Sequence, residues 1–124
     1  MPDVIIDNPV LNSAFSEPSR HYRFGKDGIT NEVIEERRTS IYFSPIKGAR
    51  KKANQLELAN EWTLDRIQEN KLVNDLRGRV NAWRIGKYAG ITNTTRRLLE
   101  YWKNPERENK LFFCQIEALE TLVY

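Results

Sequence analysis

The sequence contains a single cysteine, Cys114, and a single histidine, His21, which limits the metal and nucleophile chemistry open to it. One thiol forms neither an internal disulfide nor a zinc site built from several thiolates. One imidazole does not make a His-rich metal site. Cys114 is the only candidate thiol nucleophile, but its apolar neighbours Phe113 and Ile116 favour a buried, unreactive side chain. We therefore predict no metal site and no thiol catalysis.

Glycine–lysine pairs are the next place to look for chemistry, because a phosphate-binding loop has the pattern G-x-x-x-x-G-K-[ST]. Gly25-Lys26 and Gly86-Lys87 both lack the upstream glycine and the following hydroxyl residue. No Asp-Glu pair follows an apolar strand to hold magnesium. We therefore predict that these residues include no catalytic residues and do not make a self-contained enzyme.

Two groups of basic residues could contact phosphate, since Lys and Arg neutralise backbone charge without reading sequence. They are Lys47, Arg50, Lys51 and Lys52 in a predicted linker, and Arg96 and Arg97 on a predicted helix. The favoured interpretation of the first group is a solvated, flexible connector, and Arg96 and Arg97 could simply keep their helix soluble. The net charge of +3 permits contact with nucleic acid without requiring it.

Length and composition are typical of one small domain in a reducing, cytoplasmic setting. The chain has 124 residues, of which 40% are apolar and 30% are charged. It shows no basic segment followed by an apolar run at its start, and no apolar run approaches the ~20 residues of a membrane span. We expect no membrane partner.

The sequence pattern predicts the elements that would position these side chains. They form an α+β fold, with a small N-terminal β hairpin or meander followed by three helices. Residues 1–19 should be extended or poorly ordered, because Asn-Pro and Glu-Pro steps interrupt them. Residues 20–46 carry strand-forming aromatic and β-branched residues around an Asp27-Gly28 turn signal. Residues 47–56 form the basic linker.

Residues 57–110 predict a helical accessory region. A first helix is expected from Leu58 to Lys87, with Gly78 as its weak point. Its apolar face would comprise Leu58, Trp62, Ile67, Leu72, Leu76, Val80 and Trp83. A second helix is expected from Asn93 to Trp102, with Thr92 as its N-cap.

A third helix is predicted to begin near Cys114 and to reach Tyr124. Its apolar residues recur at helical spacing and should form one buried face: Ile116, Leu119, Leu122 and Val123. No Gly, Asn or Pro closes this helix, so we expect the chain to be cut within a longer protein. In that case Leu119, Leu122 and Val123 would be exposed in the chain alone.

Several runs of residues also carry a family resemblance over about residues 12–124. They are GRVNAWRIGKYAGITNTTRRLLEYW from Gly78, NPERE from Asn104, LFFCQIEALET from Leu111, RHYRF from Arg20, DGITN from Asp27 and RRTSIYFSP from Arg37. Together they resemble the N-terminal region of the large DEAD/DEAH-box, superfamily two helicases that are type III restriction enzyme res subunits. The run that contains Gln115 is the most specific part. By this resemblance, residues 111–124 would be the start of a truncated helicase motor domain.

The resemblance implies that Gln115 is the adenine-recognising glutamine, since a Gln-x-Glu-Ala helix precedes the phosphate loop in that family. A side-chain amide suits this role because it offers a donor and an acceptor together. Phe112 or Phe113 would supply an aromatic surface near the base. Composition alone would instead suggest an exposed glutamine at a helix start and phenylalanines in the core.

The resemblance also implies cofactors and partners for the parent protein. The cofactors would be ATP and Mg²⁺, held through motifs that this sequence does not contain. The partners would be DNA, the remainder of the helicase motor domain and a modification-methylase subunit.

Three functional hypotheses follow from the sequence. The first is an N-terminal fragment of an ATP-dependent DNA helicase or restriction-endonuclease subunit, inactive alone because the phosphate loop, magnesium motif and nuclease domain are absent. The alternative is a complete nucleic-acid-binding or adaptor module that uses the two basic groups. The third is an interaction domain whose apolar helices bind a protein partner.

Overall fold

The computed structural model describes residues 5–25, 28–44 and 67–124. Within these ranges the chain forms β1 (His21–Gly25), β2 (Gly28–Ile34), β3 (Ile41–Phe43), β4 (Ile67–Glu69), α1 (Lys71–Ile85), α2 (Asn93–Lys103) and α3 (Phe113–Val123). This order confirms the predicted α+β fold, with N-terminal strands followed by three helices. Residues 5–20 contain neither helix nor strand. The predicted basic linker at 47–56 lies outside the described residues.

Strands β1 and β2 form the predicted antiparallel hairpin, with His21 opposite Ile34 and Gly25 opposite Gly28. The register shifts between Tyr22 and Phe24, as a bulge does. Gly28 has a φ of 112°, a backbone conformation that glycine adopts without steric cost.

Strand β3 does not extend this hairpin into a meander, because it pairs antiparallel with β4 in a second two-stranded sheet. The prediction of a continuous helix from Leu58 is therefore wrong at Ile67–Glu69. The backbone groups of β4 pair with β3, the Tyr42 hydroxyl donates to Gln68 Oε1 at 2.8 Å, and the helix begins only after Asn70. Pairing with a distant strand overrides the local helical spacing of apolar residues. Leu58 and Trp62 lie outside the described residues.

Helix α1 places Val80 in the core, whereas Leu72 of the predicted apolar face is 71% exposed. Helix α2 has the predicted cap, since the Thr92 hydroxyl accepts a hydrogen bond from the Thr95 N–H at 3.2 Å. Between the two helices, Lys87 and Tyr88 both have a φ of 58°, in the left-handed region. This turn directs Tyr88 into the core.

Helix α3 packs against α1 and α2. Ile116 is buried as predicted, and Glu120, one turn later, is fully buried as well. The predicted buried face is wrong at its far end, because Leu122 is 85% exposed and Val123 is 40% exposed. Within the described part of the chain, Tyr124 contacts Trp83 of α1 at a ring-centroid distance of 5.6 Å, but Leu122 and Val123 remain exposed. This exposure agrees with the expectation of an uncovered apolar end, although Leu119 is only partly exposed.

The core of the described residues is small. Its buried members are Val80, Tyr88, Leu99, Ile116 and Glu120. They come from all three helices and the α1–α2 turn, so the charged side chain of Glu120 lies at the point where the helices meet.

Candidate functional site

Gln115 lies exposed in the first turn of α3, as predicted. Its side-chain Oε1 accepts a hydrogen bond from the Phe112 N–H at 2.9 Å, and its own N–H donates to the Phe112 carbonyl at 3.0 Å. The first of these bonds satisfies one of the backbone donors that a helix start leaves free. Among the described residues, none hydrogen-bonds to Gln115 Nε2. The amide therefore keeps its donors and one acceptor lone pair for a ligand.

The two phenylalanines beside Gln115 have different surroundings. Phe112 is 48% exposed and contacts Phe15 at a ring-centroid distance of 5.4 Å. Phe113 is partly buried, with the guanidinium groups of Arg37 and Arg84 at 5.6 Å and 5.3 Å from its ring centroid. Phe112 is therefore the ring that can meet a ligand, and Phe113 serves packing.

Cys114 is exposed, so the prediction of a buried cysteine is wrong. Successive helical residues are about 100° apart, which places Cys114 about 200° around the helix from the buried Ile116. The prediction failed because it relied on the apolar neighbours of Cys114 in the sequence, which do not determine which face of the helix the cysteine lies on.

A buried ionic cluster around Arg84 underlies α3. Arg84 Nε donates to Glu120 Oε2 at 2.7 Å, and the Tyr88 hydroxyl donates to the same oxygen at 2.8 Å. Lys103 Nζ donates in turn to the Tyr88 hydroxyl at 2.6 Å. Burial, with the hydrogen bond to Glu120, raises the pKa of the Tyr88 hydroxyl, so it stays protonated. Burial opposes the charge of Arg84, but the hydrogen bond to Glu120 and the charges of Glu120, Glu17 and Glu117 together raise the Arg84 pKa.

A second ionic cluster connects α3 to the strands and the N-terminal segment through Arg37. Its guanidinium donates to both carboxylate oxygens of Glu117, at 2.7 and 2.6 Å, and to Glu17 at 3.1 Å. The hydrogen bonds from Arg37 lower the pKa of Glu117, although burial acts in the opposite direction. The same bonds raise the pKa of Arg37. This bidentate geometry fixes the position of Arg37 beside Phe113.

Sequence reasoning missed both clusters. Glu120 follows Ile116 by four residues, so the two share a helix face, and that spacing was the available signal. The partners of Glu117 and Glu120 come from other elements, at sequence separations of 80 and 36 residues. Spacing within α3 therefore did not reveal them.

An open groove of about 540 Å³ lies between the N-terminal segment, the strands and α1. We call it the arginine groove, because Arg20, Arg37, Arg38 and Arg77 line it together with His21, Thr39 and Ser40. No acidic residue is among its lining residues within the described part of the chain. Four guanidinium-bearing side chains thus surround one solvent-open space.

The predicted phosphate-contacting residues lie elsewhere. Arg96 is partly buried and donates to the Lys87 carbonyl at 3.0 Å, while Arg97 is exposed on α2. Neither residue lines the arginine groove. Lys47, Arg50, Lys51 and Lys52 lie outside the described residues.

A smaller cavity of about 220 Å³ separates the end of α2 from the start of α3. Phe15, Trp102, Phe113 and Ile116 give it an apolar lining, with Lys103 and Lys110 also present. Ligand sites usually have volumes of ~300–1,000 Å³, so this cavity is small for a substrate. Gln115 does not line it.

Comparisons of the chain with protein-family models, curated proteins and solved structures return no match. In the described ranges, no helix is both long and apolar enough to cross a membrane. Within the same residues, no group of three or more His, Cys, Asp or Glu side chains is placed to hold a metal ion.

Proposed function

We propose that this chain is the N-terminal region of an ATP-dependent DNA helicase or restriction-endonuclease subunit, in which Gln115 recognises adenine. The observation that carries the proposal is the exposed Gln115 amide, held at the start of α3 beside the exposed ring of Phe112. The resemblance of the run from Leu111 to Thr121 supports the same role. ATP and Mg²⁺ chemistry belongs to motifs outside these residues.

The geometry suits adenine for a specific reason. Adenine presents an exocyclic amine next to a ring nitrogen, so it needs one acceptor and one donor side by side. The bond from the Phe112 N–H restrains Gln115 Oε1 but leaves its second lone pair for the amine, and Nε2 can donate to the ring nitrogen. The Phe112 ring offers an apolar surface for the base.

Replacing Gln115 by Glu tests this assignment, because Glu keeps the oxygen that accepts from the Phe112 N–H and loses the Nε2 donor. We expect adenosine at millimolar concentration to shift the NMR amide signals of Phe112 to Gln115 in the wild-type chain. Gln115→Glu should weaken this binding about fivefold, since one net hydrogen bond is worth ~1 kcal/mol. Adenosine is uncharged, so the added carboxylate does not repel it.

Inosine is the matched control ligand, because it carries a carbonyl oxygen where adenosine has the amine. It should bind at least several-fold more weakly than adenosine. Equal shifts with both nucleosides, or unchanged adenosine binding in Gln115→Glu, would contradict adenine recognition by Gln115.

A nucleic-acid-binding module is the second candidate function, and the arginine groove favours it. The two functions use different residues, since Gln115 does not line the groove. They are also compatible, because a protein that couples ATP hydrolysis to DNA needs phosphate contacts as well as an adenine site.

A further inference from the structure

We propose that the arginine groove binds the phosphodiester backbone of a nucleic-acid strand. The inference rests on the second candidate function and deepens it by naming the residues that hold the strand. It does not depend on adenine recognition at Gln115.

The first argument is charge. Among the four groove arginines, Arg37 is neutralised by Glu17 and Glu117. Within the described residues, Arg20, Arg38 and Arg77 form no ion pair, whereas Arg23, Arg37 and Arg84 each have a carboxylate within 4 Å. Three guanidinium groups without a carboxylate within 4 Å therefore line one space, although the charge of Arg77 also acts on Glu117 at longer range. The groove has an excess of positive charge, which would attract a polyanion.

The second argument is that the groove walls are held in place before any ligand arrives. Asn12 Oδ1 accepts from the N–H groups of Ser19 and Arg20 at 3.0 and 3.1 Å, and its Nδ2 donates to the Arg20 carbonyl at 2.8 Å. On the other side, Asn74 Oδ1 accepts from the Ser40 N–H at 2.9 Å, and its Nδ2 donates to the Ser40 carbonyl at 3.1 Å.

These two asparagines position the arginines through the backbone. Asn12 fixes the segment that carries Arg20, and Asn74 fixes the segment that carries Arg38 to α1. Arg77 lies three residues after Asn74, on the same side of the helix. Arg77 and Arg38 are also joined by a long contact of 3.5 Å between Arg77 Nη1 and the Arg38 carbonyl. Because the walls are held in this way, binding requires little ordering of the backbone.

The third argument is the chemistry of the lining. Arginine side chains together with Ser and Thr hydroxyls are the groups that most often contact phosphate oxygens, and Thr39 and Ser40 supply the hydroxyls here. Pro18 and Ile41 are the apolar lining residues. An open, charged channel fits a backbone that runs through it.

The test is fluorescence anisotropy with a labelled 12-nucleotide single strand of mixed sequence and the 124-residue chain. Three phosphate contacts on a single strand predict a slope of log K against log[salt] of about −2, which is about a twentyfold weakening between 50 and 200 mM salt. The double variant Arg38→Gln/Arg77→Gln should reduce that slope to about −0.7 and weaken binding at 50 mM salt about tenfold.

Arg79→Gln is the matched control, because Arg79 is an exposed arginine on the same helix that does not line the groove. It should bind within about twofold of the wild-type chain. Thermal unfolding followed by circular dichroism separates lost contacts from lost structure. The double variant should melt close to the wild-type temperature, because the only direct contact that it removes among the described residues is the long one from Arg77 Nη1 to the Arg38 carbonyl.

Three outcomes would overturn the inference. They are no strand binding by the wild-type chain at 50 mM salt, a double variant that binds like Arg79→Gln, or a poly-glutamate peptide that binds as tightly as the strand. In the second case nucleic-acid binding would stand and only its placement in the groove would fall. Gln115→Glu should leave strand binding unchanged, so failure of adenine recognition is seen separately.

Discussion

At the scale of single residues, Arg37 connects the N-terminal segment, helix α3 and the arginine groove. It forms a bidentate pair with Glu117, a further pair with Glu17, a cation–π contact with Phe113, and part of the arginine groove. Because the guanidinium is fully charged and planar, it can make these contacts at once. The pair with Glu117 therefore stabilises both α3 and one wall of the groove.

The lowered pKa of Glu117 predicts a pH dependence of stability. A carboxylate whose pKa is lower in the folded than in the unfolded chain stabilises the fold above its unfolded pKa, and loses that contribution as pH falls through the folded value. We expect Glu117→Gln to lower the free energy of unfolding by about 2 kcal/mol at pH 7. The difference from wild type should shrink as pH drops below about 4.5.

Urea unfolding followed by tryptophan fluorescence at pH 7, 5 and 3.5 measures this difference. Glu108→Gln is the control, because Glu108 is exposed and forms no ion pair with any described residue. Its free energy of unfolding should match wild type at each pH. A Glu117→Gln chain that loses stability in parallel with wild type over this range would rule out the pair as the source.

The residues that could be predicted from sequence are those whose role is local. Thr92 caps α2 through a residue three positions away, and Gln115 lies exposed in the first turn of α3. The spacing from Ile116 places Glu120 on the buried face, but its partners Arg84 and Tyr88 could not be predicted, because they approach it only after three helices have packed. The exposure of Cys114 shows the same dependence, since apolar neighbours do not decide which way a helical side chain faces.

At the scale of elements, α1 contains an avoidable weakness at Gly78. Glycine costs a helix interior ~1 kcal/mol relative to alanine, chiefly through backbone entropy. A Cβ at Gly78 would meet no atom within 4 Å, and the position does not need a positive φ. Gly78→Ala should therefore raise the free energy of unfolding by about 0.5–1 kcal/mol.

Gly90→Ala is the informative counterpart, and chemical denaturation of both variants decides the prediction. Gly90 has a φ of 87°, so a Cβ there is strained although space is open around it. We expect it to lower stability by about 1 kcal/mol. If Gly78→Ala also lowered stability, helix propensity would not be the property that limits α1.

The strands show which secondary-structure elements could be predicted from local sequence and which could not. The β1–β2 hairpin joins neighbouring segments, so local signals were sufficient for it. Strand β4 has a three-residue sequence that continues the helical spacing of α1, and it becomes a strand only because β3 pairs with it from 26 residues earlier. A strand partner so far away in the sequence does not change the local spacing of apolar residues, so that spacing does not predict the pairing.

At the scale of the whole molecule, the described residues have a small core and an exposed apolar end of α3, where only Tyr124 makes a ring contact, with Trp83. Leu122, Val123 and Tyr124 follow one another there and are all exposed. Replacing Leu122 and Val123 by Lys should leave the free energy of unfolding within about 0.5 kcal/mol of wild type, because neither residue is buried. The same variant should bind less of a hydrophobic dye and associate less at high protein concentration.

Leu72→Lys is the matched control, since Leu72 is 71% exposed at the start of α1. Dye fluorescence and sedimentation should change little in this variant, because it removes a single apolar residue and not a run. If dye binding and self-association fell equally in both variants, the end of α3 would be no more prone to hydrophobic association than another exposed leucine.

The contacts between the N-terminal segment and α3 also determine the order in which the protein can be built. The Phe113 N–H donates to the Ala14 carbonyl at 2.8 Å, and Glu117 pairs with Arg37, which lies 80 residues earlier. The ribosome releases residues 12–20 long before α3 exists, so until then this segment has only its local contacts, such as the hydrogen bonds of Asn12 to Ser19 and Arg20, and not its contact with α3. We expect chains stalled after Lys110 to be cleaved by protease within residues 12–20, and chains extended to Tyr124 to resist. If the shorter chains resisted the protease, residues 12–20 would be ordered without α3, which would contradict this prediction.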